Sequence, residues 1–182
     1  LFGCDCFISR SGYTGEDGYE ISVPADQAER VWTTILKDAR VKPIGLGARD
    51  SLRLEAGLPL HGHDIDPSTS PVEGALTFAL SKSRKERADF NGADRILKEL
   101  ADGPSRVRIG LSVKEGAPAR EGAGIADMDG NVIGNVTSGG PSPTLGRNIA
   151  MGYVPPEFAE PGTELKVIVR GKPAAAEVVA MP

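Results

Sequence analysis

In "TELKVIVRGKPAAAEVVAMP", residues 163–182, two alternating apolar and polar runs flank Arg170-Gly171-Lys172. Alternation with a period of two marks a half-buried strand, and a glycine-centred turn between two such runs marks a hairpin. The same texture recurs upstream in "RVRIGLSVKE" (106–115), "GAGIADMDGNVIGNVTSG" (122–139) and "NIAMGYVP" (148–155), with a second turn at Asp129-Gly130-Asn131. Short alternating runs separated by Gly and Pro predict a small antiparallel β-barrel or sandwich. Gly103 and Pro104 precede the first of them, so the boundary is expected near residue 104, with 105–182 as the β domain.

Residues 1–104 have a different texture. "CDCFISR" (4–10) and "GYEISVP" (18–24) alternate as two strands, and Gly12, Gly15 and Gly18 turn the chain between them. Asp26 and Glu29 stand at cap spacing before Ala28, Val31, Trp32, Ile35, Leu36 and Ala39, a pattern that predicts an amphipathic helix lying on the two strands. "GLGARDSLRLEAGLPL" (45–60) predicts a second helix, stopped at Gly57 and Pro59, and "DFNGADRILKELADG" (89–103) a third. Between them, residues 61–71 read as a loop rich in His, Asp, Ser and Pro. The local order β-β-α makes the fold class α+β, with the antiparallel β domain following it.

With 182 residues, 40% hydrophobic and 25% charged, the composition is that of a globular protein with a real core. A net charge of −4 without a basic stretch argues against nucleic acid as a partner. No apolar run approaches the ~18 residues of a membrane span, and no signal or transit peptide is legible. The first residue is not Met and opens within an alternating run, so the expectation is a piece of something longer. Cys4 and Cys6 are the only cysteines. At i and i+2 on a strand they share a face, where a disulfide is geometrically poor, and two thiols in a reducing cytosol or organelle matrix are expected.

Several motifs also have plainer readings. Three spaced glycines invite a phosphate, but a dinucleotide loop leads into a helix, whereas here Glu16, Asp17 and then a strand follow. "DMDGNVIGNVTS" (127–138) has its glycine fourth rather than sixth and Ser138 where calcium needs a bidentate Glu, so it reads as a hairpin. "HGHDID" offers His61, His63, Asp64 and Asp66, yet the chain has no third histidine, and no metal is expected there. Two features remain open. Glu20 lies on the strand face opposite Ile21 and Val23, either as a surface acid or as an acceptor for two parallel N–H donors. Arg49 and Arg53 stack at i, i+4, either balanced by Asp50 and Glu55 or facing an anionic ligand.

"SRSGYTGEDGYEISVP", "GARDSLRLEAGLPLHGHDID", "PVEGAL", "VTSGGPSPTLGRNIAMGYVP" and "PGTELKVIVRGKP" together resemble the aminomethyltransferase, or T-protein, family of the glycine cleavage system. The resemblance runs over essentially the whole chain, which is similar to the C-terminal half of that family's longer members. It implies that residues 1–104 are the later part of a folate-binding α/β core and 105–182 the C-terminal β-barrel. It further implies transfer of the aminomethyl carbon from a lipoylated H protein to tetrahydrofolate, with release of ammonia and no metal, in a bacterial cytoplasm or a mitochondrial matrix.

Residue by residue, the resemblance assigns Glu20 to the family glutamate that grips the pterin, whose 2-amino group and N3–H are two parallel donors. It assigns Arg49 to a folate-contacting arginine suited to the anionic glutamyl tail. The family's essential aspartate falls in the half that has no counterpart here. No catalytic residue is therefore assigned in this chain, and the chain alone is expected to be inactive. The same folate fold also serves dimethylglycine and sarcosine dehydrogenases, and non-catalytic folate-binding proteins. The Gly-Tyr-Thr-Gly-Glu-Asp wording and the lack of a preceding flavin-binding segment argue against the dehydrogenases; the lack of a Lys-Gly-Cys-Tyr motif argues against the binding proteins.

Overall fold

The computed structural model describes residues 1–182, which separate into two compact units, Leu1–Arg53 and Leu54–Pro182. In the first unit, β1 (Phe7–Ser9) and β2 (Glu20–Ser22) pair antiparallel, in the register Phe7↔Ser22, Ile8↔Ile21 and Ser9↔Glu20. A 3-10 turn (Ala25–Gln27) leads into α1 (Ala28–Ile35), and α2 (Leu46–Glu55) carries the chain across the division between the units.

Several expectations for this unit need correction. Asp26 does not cap the helix, because its carboxylate accepts from Gln27 Nε2 at 2.9 Å. Instead Pro24, with φ −56°, starts the 3-10 turn, and its carbonyl accepts from the Gln27 amide. Of the expected apolar stripe only Val31 is buried; Trp32 is 53% exposed, and Ala39 lies beyond the helix. The first strand begins at Phe7, so Cys4 and Cys6 are not strand neighbours. A turn closed by Cys4 N–H to Leu1 O places Cys4 in the interior, where burial pushes its thiol pKa up. Both thiols are free.

The second unit is built on a closed antiparallel barrel. Its strands are β3 (Val107–Val113), β4 (Gly124–Ala126), β5 (Val132–Ser142), β6 (Arg147–Val154), β7 (Glu164–Val169) and β8 (Lys172–Val179). They close in the order β3-β6-β5-β4-β7-β8, so each strand has a neighbour on both sides. Alternate residues point inward: Ile109, Leu111 and Val113 meet Leu165, Val167, Ala176 and Val178, all nearly inaccessible to solvent. At ~25 cal/mol per Å² of apolar surface, each buried Leu or Val contributes about 1.5–3 kcal/mol. The β7–β8 turn has two residues at positive φ, Arg170 at 51° and Gly171 at 76°, a type I′ pattern whose twist matches the strands.

Sterics fix the β5–β6 seam. A Cβ at Gly134 would stand 1.9 Å from the Tyr153 carbonyl oxygen, so this position tolerates only glycine. The outer face of β6 is covered as well. Ile149 and Met151 pack with Leu54, and the Tyr153 hydroxyl donates to Asp64 O at 2.8 Å.

Residues 54–106 hold this outer layer. α4 (Ala93–Asp102) buries Ala93 and Ile96, and ends at Gly103 with φ 89°. A short helix that the periodicity did not predict, α3 (Lys82–Arg87), is capped by the Ser81 hydroxyl accepting from Arg84 N–H. Glu73, 5% exposed, accepts from Arg95 Nη2 at 2.8 Å and Arg106 Nε at 3.2 Å. Arg108 on β3 is buried too, and donates to the carbonyl oxygens of Gly74 and Gly57. No helix is long and apolar enough to cross a membrane.

Candidate functional site

Glu20 opens β2 directly opposite Ser9, and its side chain is exposed. Its Oε2 accepts from the Ser11 hydroxyl at 2.7 Å, and the Ser9 and Ser11 hydroxyls lie 2.9 Å apart. The loop that brings these groups together is closed by Arg10, whose Nη2 donates to both oxygens of Asp17 at 2.8 and 2.7 Å. Gly15, with φ 79°, supplies the one left-handed residue of the turn; a Cβ at Gly12 would meet open space. The three acids therefore have different surroundings. Asp17 is committed to closing the turn, Glu16 follows the left-handed glycine, and Glu20 opens β2 opposite Ser9.

The expectation that Ile21 and Val23 claim a buried face opposite Glu20 is corrected by the burial of β2. Ile21 is 37% exposed and Val23 half-buried, so all three β2 residues are open to solvent within this chain. Three residues of ladder next to a glycine turn bury too little to define an inside and an outside.

Arg49 lies in α2 with its guanidinium 4.9 Å from the centre of the Tyr13 ring, a cation–π stack. Arg53, one turn on, is buried and donates from Nε and Nη2 to Asp50 Oδ1 at 2.8 and 2.7 Å. The two arginines thus part ways. Asp50 balances Arg53, as the plainer reading supposed, while Arg49 is exposed with its guanidinium over an aromatic ring. Glu55, the other acid considered as their partner, is bound by residues of the β5–β6 hairpin. It accepts from Ser142 Oγ at 2.6 Å, Thr144 Oγ1 at 2.7 Å and Thr144 N–H at 3.1 Å. The Ser142 bond above all holds its carboxyl below the usual range, against the opposing effect of burial, with the Thr144 bonds adding to it.

The "HGHDID" side chains take separate partners. His63 Nδ1 lies 2.6 Å from Glu121 Oε2, and Asp66 accepts from the amide and hydroxyl of Ser68. Asp64 is 1% exposed and accepts from Thr137 Oγ1 at 2.5 Å, Ser138 Oγ at 2.7 Å and Leu60 N–H at 2.8 Å. Sequence reasoning passed over Asp64 as one acid of a polar loop. Only the hydroxyl pair Thr137-Ser138 on a distant strand hinted at the donors to its carboxylate.

What this unit offers chemically is a carboxylate at the head of a strand with Oε1 outside the serine contact, and a planar cation over a tyrosine ring. Such groups suit, respectively, a pair of parallel N–H donors and an anionic or planar partner.

Comparison with known proteins gives these observations a family. The family model described as "GCVT N-terminal domain" matches residues 1–84, and the "Glycine cleavage T-protein C-terminal barrel domain" matches 106–182. "Probable aminomethyltransferase, mitochondrial" of Schizosaccharomyces pombe is 54% identical over 180 residues, covering 99% of this chain and 46% of that protein. "Aminomethyltransferase, mitochondrial" of Homo sapiens is 54% identical over 183 residues, covering 100% and 45%. The crystal structure of glycine cleavage system aminomethyltransferase T from Bartonella henselae superposes with a TM-score of 0.93 at 50% identity, over 98% of this chain and 49% of that one. The chain spans about half the length of the curated relatives it matches. Matched by both family models and alike in structure over nearly its whole length, the chain belongs to the glycine cleavage T-protein family.

Proposed function

We propose that this chain serves in an aminomethyltransferase that releases ammonia from the aminomethyl-lipoyl arm of an H protein and passes the one-carbon unit to tetrahydrofolate. Residues 1–104 then form the later part of the folate-binding core and 105–182 its C-terminal barrel. The observation that carries this reading is Glu20, presented at the head of β2 and bonded to Ser11 in a chain 50–54% identical to proteins named aminomethyltransferase. Tetrahydrofolate supplies the nucleophilic nitrogen that receives the carbon. What this chain contributes is binding and orientation. Glu20 accepts the pterin 2-amino and N3–H donors, and Arg49 meets the anionic glutamyl tail. The cytoplasm of a bacterium or the matrix of a mitochondrion suits this chemistry, and the mitochondrial label carried by several relatives supports the second.

The test is Glu20→Gln in a full-length T protein carrying this chain. An amide keeps the shape but turns one acceptor into a donor facing a donor, a loss on the order of 2–4 kcal/mol and so a roughly 30- to 1000-fold weaker affinity for tetrahydrofolate. Glu16→Gln should alter affinity by less than about threefold, because it removes no acceptor from the strand. Titration calorimetry on both variants decides. If the damage follows Glu16 and spares Glu20, the acid in the turn holds the pterin.

A further inference from the structure

Ser11 has a single hydroxyl proton, and an ionised carboxylate can only accept. With Ser11 Oγ 2.7 Å from Glu20 Oε2, that proton is committed to Glu20. The contact of 2.9 Å between Ser9 and Ser11 then has one permitted direction: Ser9 donates and Ser11 accepts. The result is an ordered relay, Ser9 to Ser11 to Glu20, in which each bond polarises the next. The fold brings the relay together by two separate means. Strand register sets Ser9 opposite Glu20, and the turn closed by Arg10 and Asp17 returns Ser11 to the same spot.

On the reading that Glu20 binds the pterin donors, we propose that Ser11 is the positioning residue for that carboxylate. It fixes the rotation of the carboxyl plane by holding Oε2, so that Oε1 and the remaining lone pair of Oε2 are presented to the ligand before it arrives. Glu20 is exposed, and the bond from the Ser11 hydroxyl ties one of its carboxylate oxygens to the turn. A long side chain left to itself samples many rotamers, and ordering it on binding weakens affinity. The serine removes part of that cost in advance.

The experiment is a double-mutant cycle in the full-length T protein, with tetrahydrofolate affinity, kcat and KM as readouts. Ser11→Ala should weaken tetrahydrofolate binding roughly three- to tenfold and raise KM with little change in kcat. Ser11→Thr keeps the hydroxyl and should restore affinity to within about twofold. In a Glu20→Gln background, Ser11→Ala should cost almost nothing more, because the carboxylate it positions is gone. A loose surface serine would show neither this dependence nor the threonine rescue. Wild-type or tighter binding by Ser11→Ala overturns the proposal, as do losses at the two positions that simply add. The cycle also separates the two readings. If Glu20→Gln is itself silent, the pterin role of Glu20 falls and the relay's role with it. If Glu20→Gln is damaging while Ser11→Ala is silent, only the positioning role falls.

Discussion

The β1–β2 hairpin and the barrel are both antiparallel β structure, yet they use it for opposite ends. In the barrel, β3 and β6 pair over seven positions, each strand has two neighbours, and inward side chains such as Leu111 and Val167 are wholly shielded from water. The hairpin pairs over three positions and presents Phe7, Tyr19 and Ile21 to solvent. Its definition comes from polar bonds: Arg10 to Asp17 across the turn and Ser11 to Glu20 across the ladder. Hydrophobic burial is proportional to area and indifferent to direction, whereas hydrogen bonds contribute little net stability but fix direction closely. A barrel therefore suits a region that must persist, and a bonded hairpin one that must aim a carboxylate.

The sharpest way to break the comparison is to attack the barrel's closure. Gly134→Ala forces a Cβ to within 1.9 Å of the Tyr153 carbonyl, and the opposing group is backbone, which cannot rotate away. The β5–β6 seam must open, and a loss of about 3 kcal/mol or more is expected in urea unfolding of the 182-residue chain. A loss under about 1 kcal/mol would mean that the seam is far more compliant than its pairing suggests.

A matched pair of truncations sharpens the contrast between the two regions. Val167→Ala empties a site with 0% exposure and should cost about 2–3 kcal/mol. Ile21→Ala, at a position 37% exposed, removes more atoms but should cost less than about 1 kcal/mol in the same chain. Equal losses by denaturant titration would show that the hairpin depends on burial after all.

The smallest expected effect concerns the polar bonds inside the second unit. Glu55→Gln should cost about 1 kcal/mol at neutral pH, since Ser142 and Thr144 donate to a charged acceptor in the native chain. Because folding lowers the Glu55 pKa from its ordinary 4.5, its contribution is fully present above that value and is lost as pH falls through the lower folded value. The stability gap between the native chain and Glu55→Gln should therefore narrow on acidification below about pH 4.5. A gap that widens there would show that burial, not the hydroxyl bonds, dominates this carboxyl.

Much of the fold was legible because its signals are local. The alternation in residues 163–182 and the Arg170-Gly171 turn are properties of adjacent residues, and they became β7, β8 and a two-residue turn with both φ values positive. The β4–β5 hairpin around residues 127–131 is equally local. Asp127 accepts from the amides of Asp129 and Asn131, a turn closed within five residues. The helical spacing of Ile96 and Leu100 likewise gave α4, whereas α3, six residues of Lys, Ser, Arg and Glu, has no apolar period to find.

By itself, then, the sequence determined where strands, turns and the longer helices lie, and through the runs around Gly15 and Arg49 the family to which they belong. Tertiary structure alone decided which polar groups meet. Asp64 and Thr137 stand 73 residues apart, and Glu55 and Ser142 87 apart, yet each pair is joined by one short bond. It also decided that Arg49 turns to Tyr13, and that both faces of β2 stay open. The physical reason is range. Backbone preference and side-chain period act between neighbours along the chain, while burial and hydrogen-bond partnership depend on groups that only folding brings together.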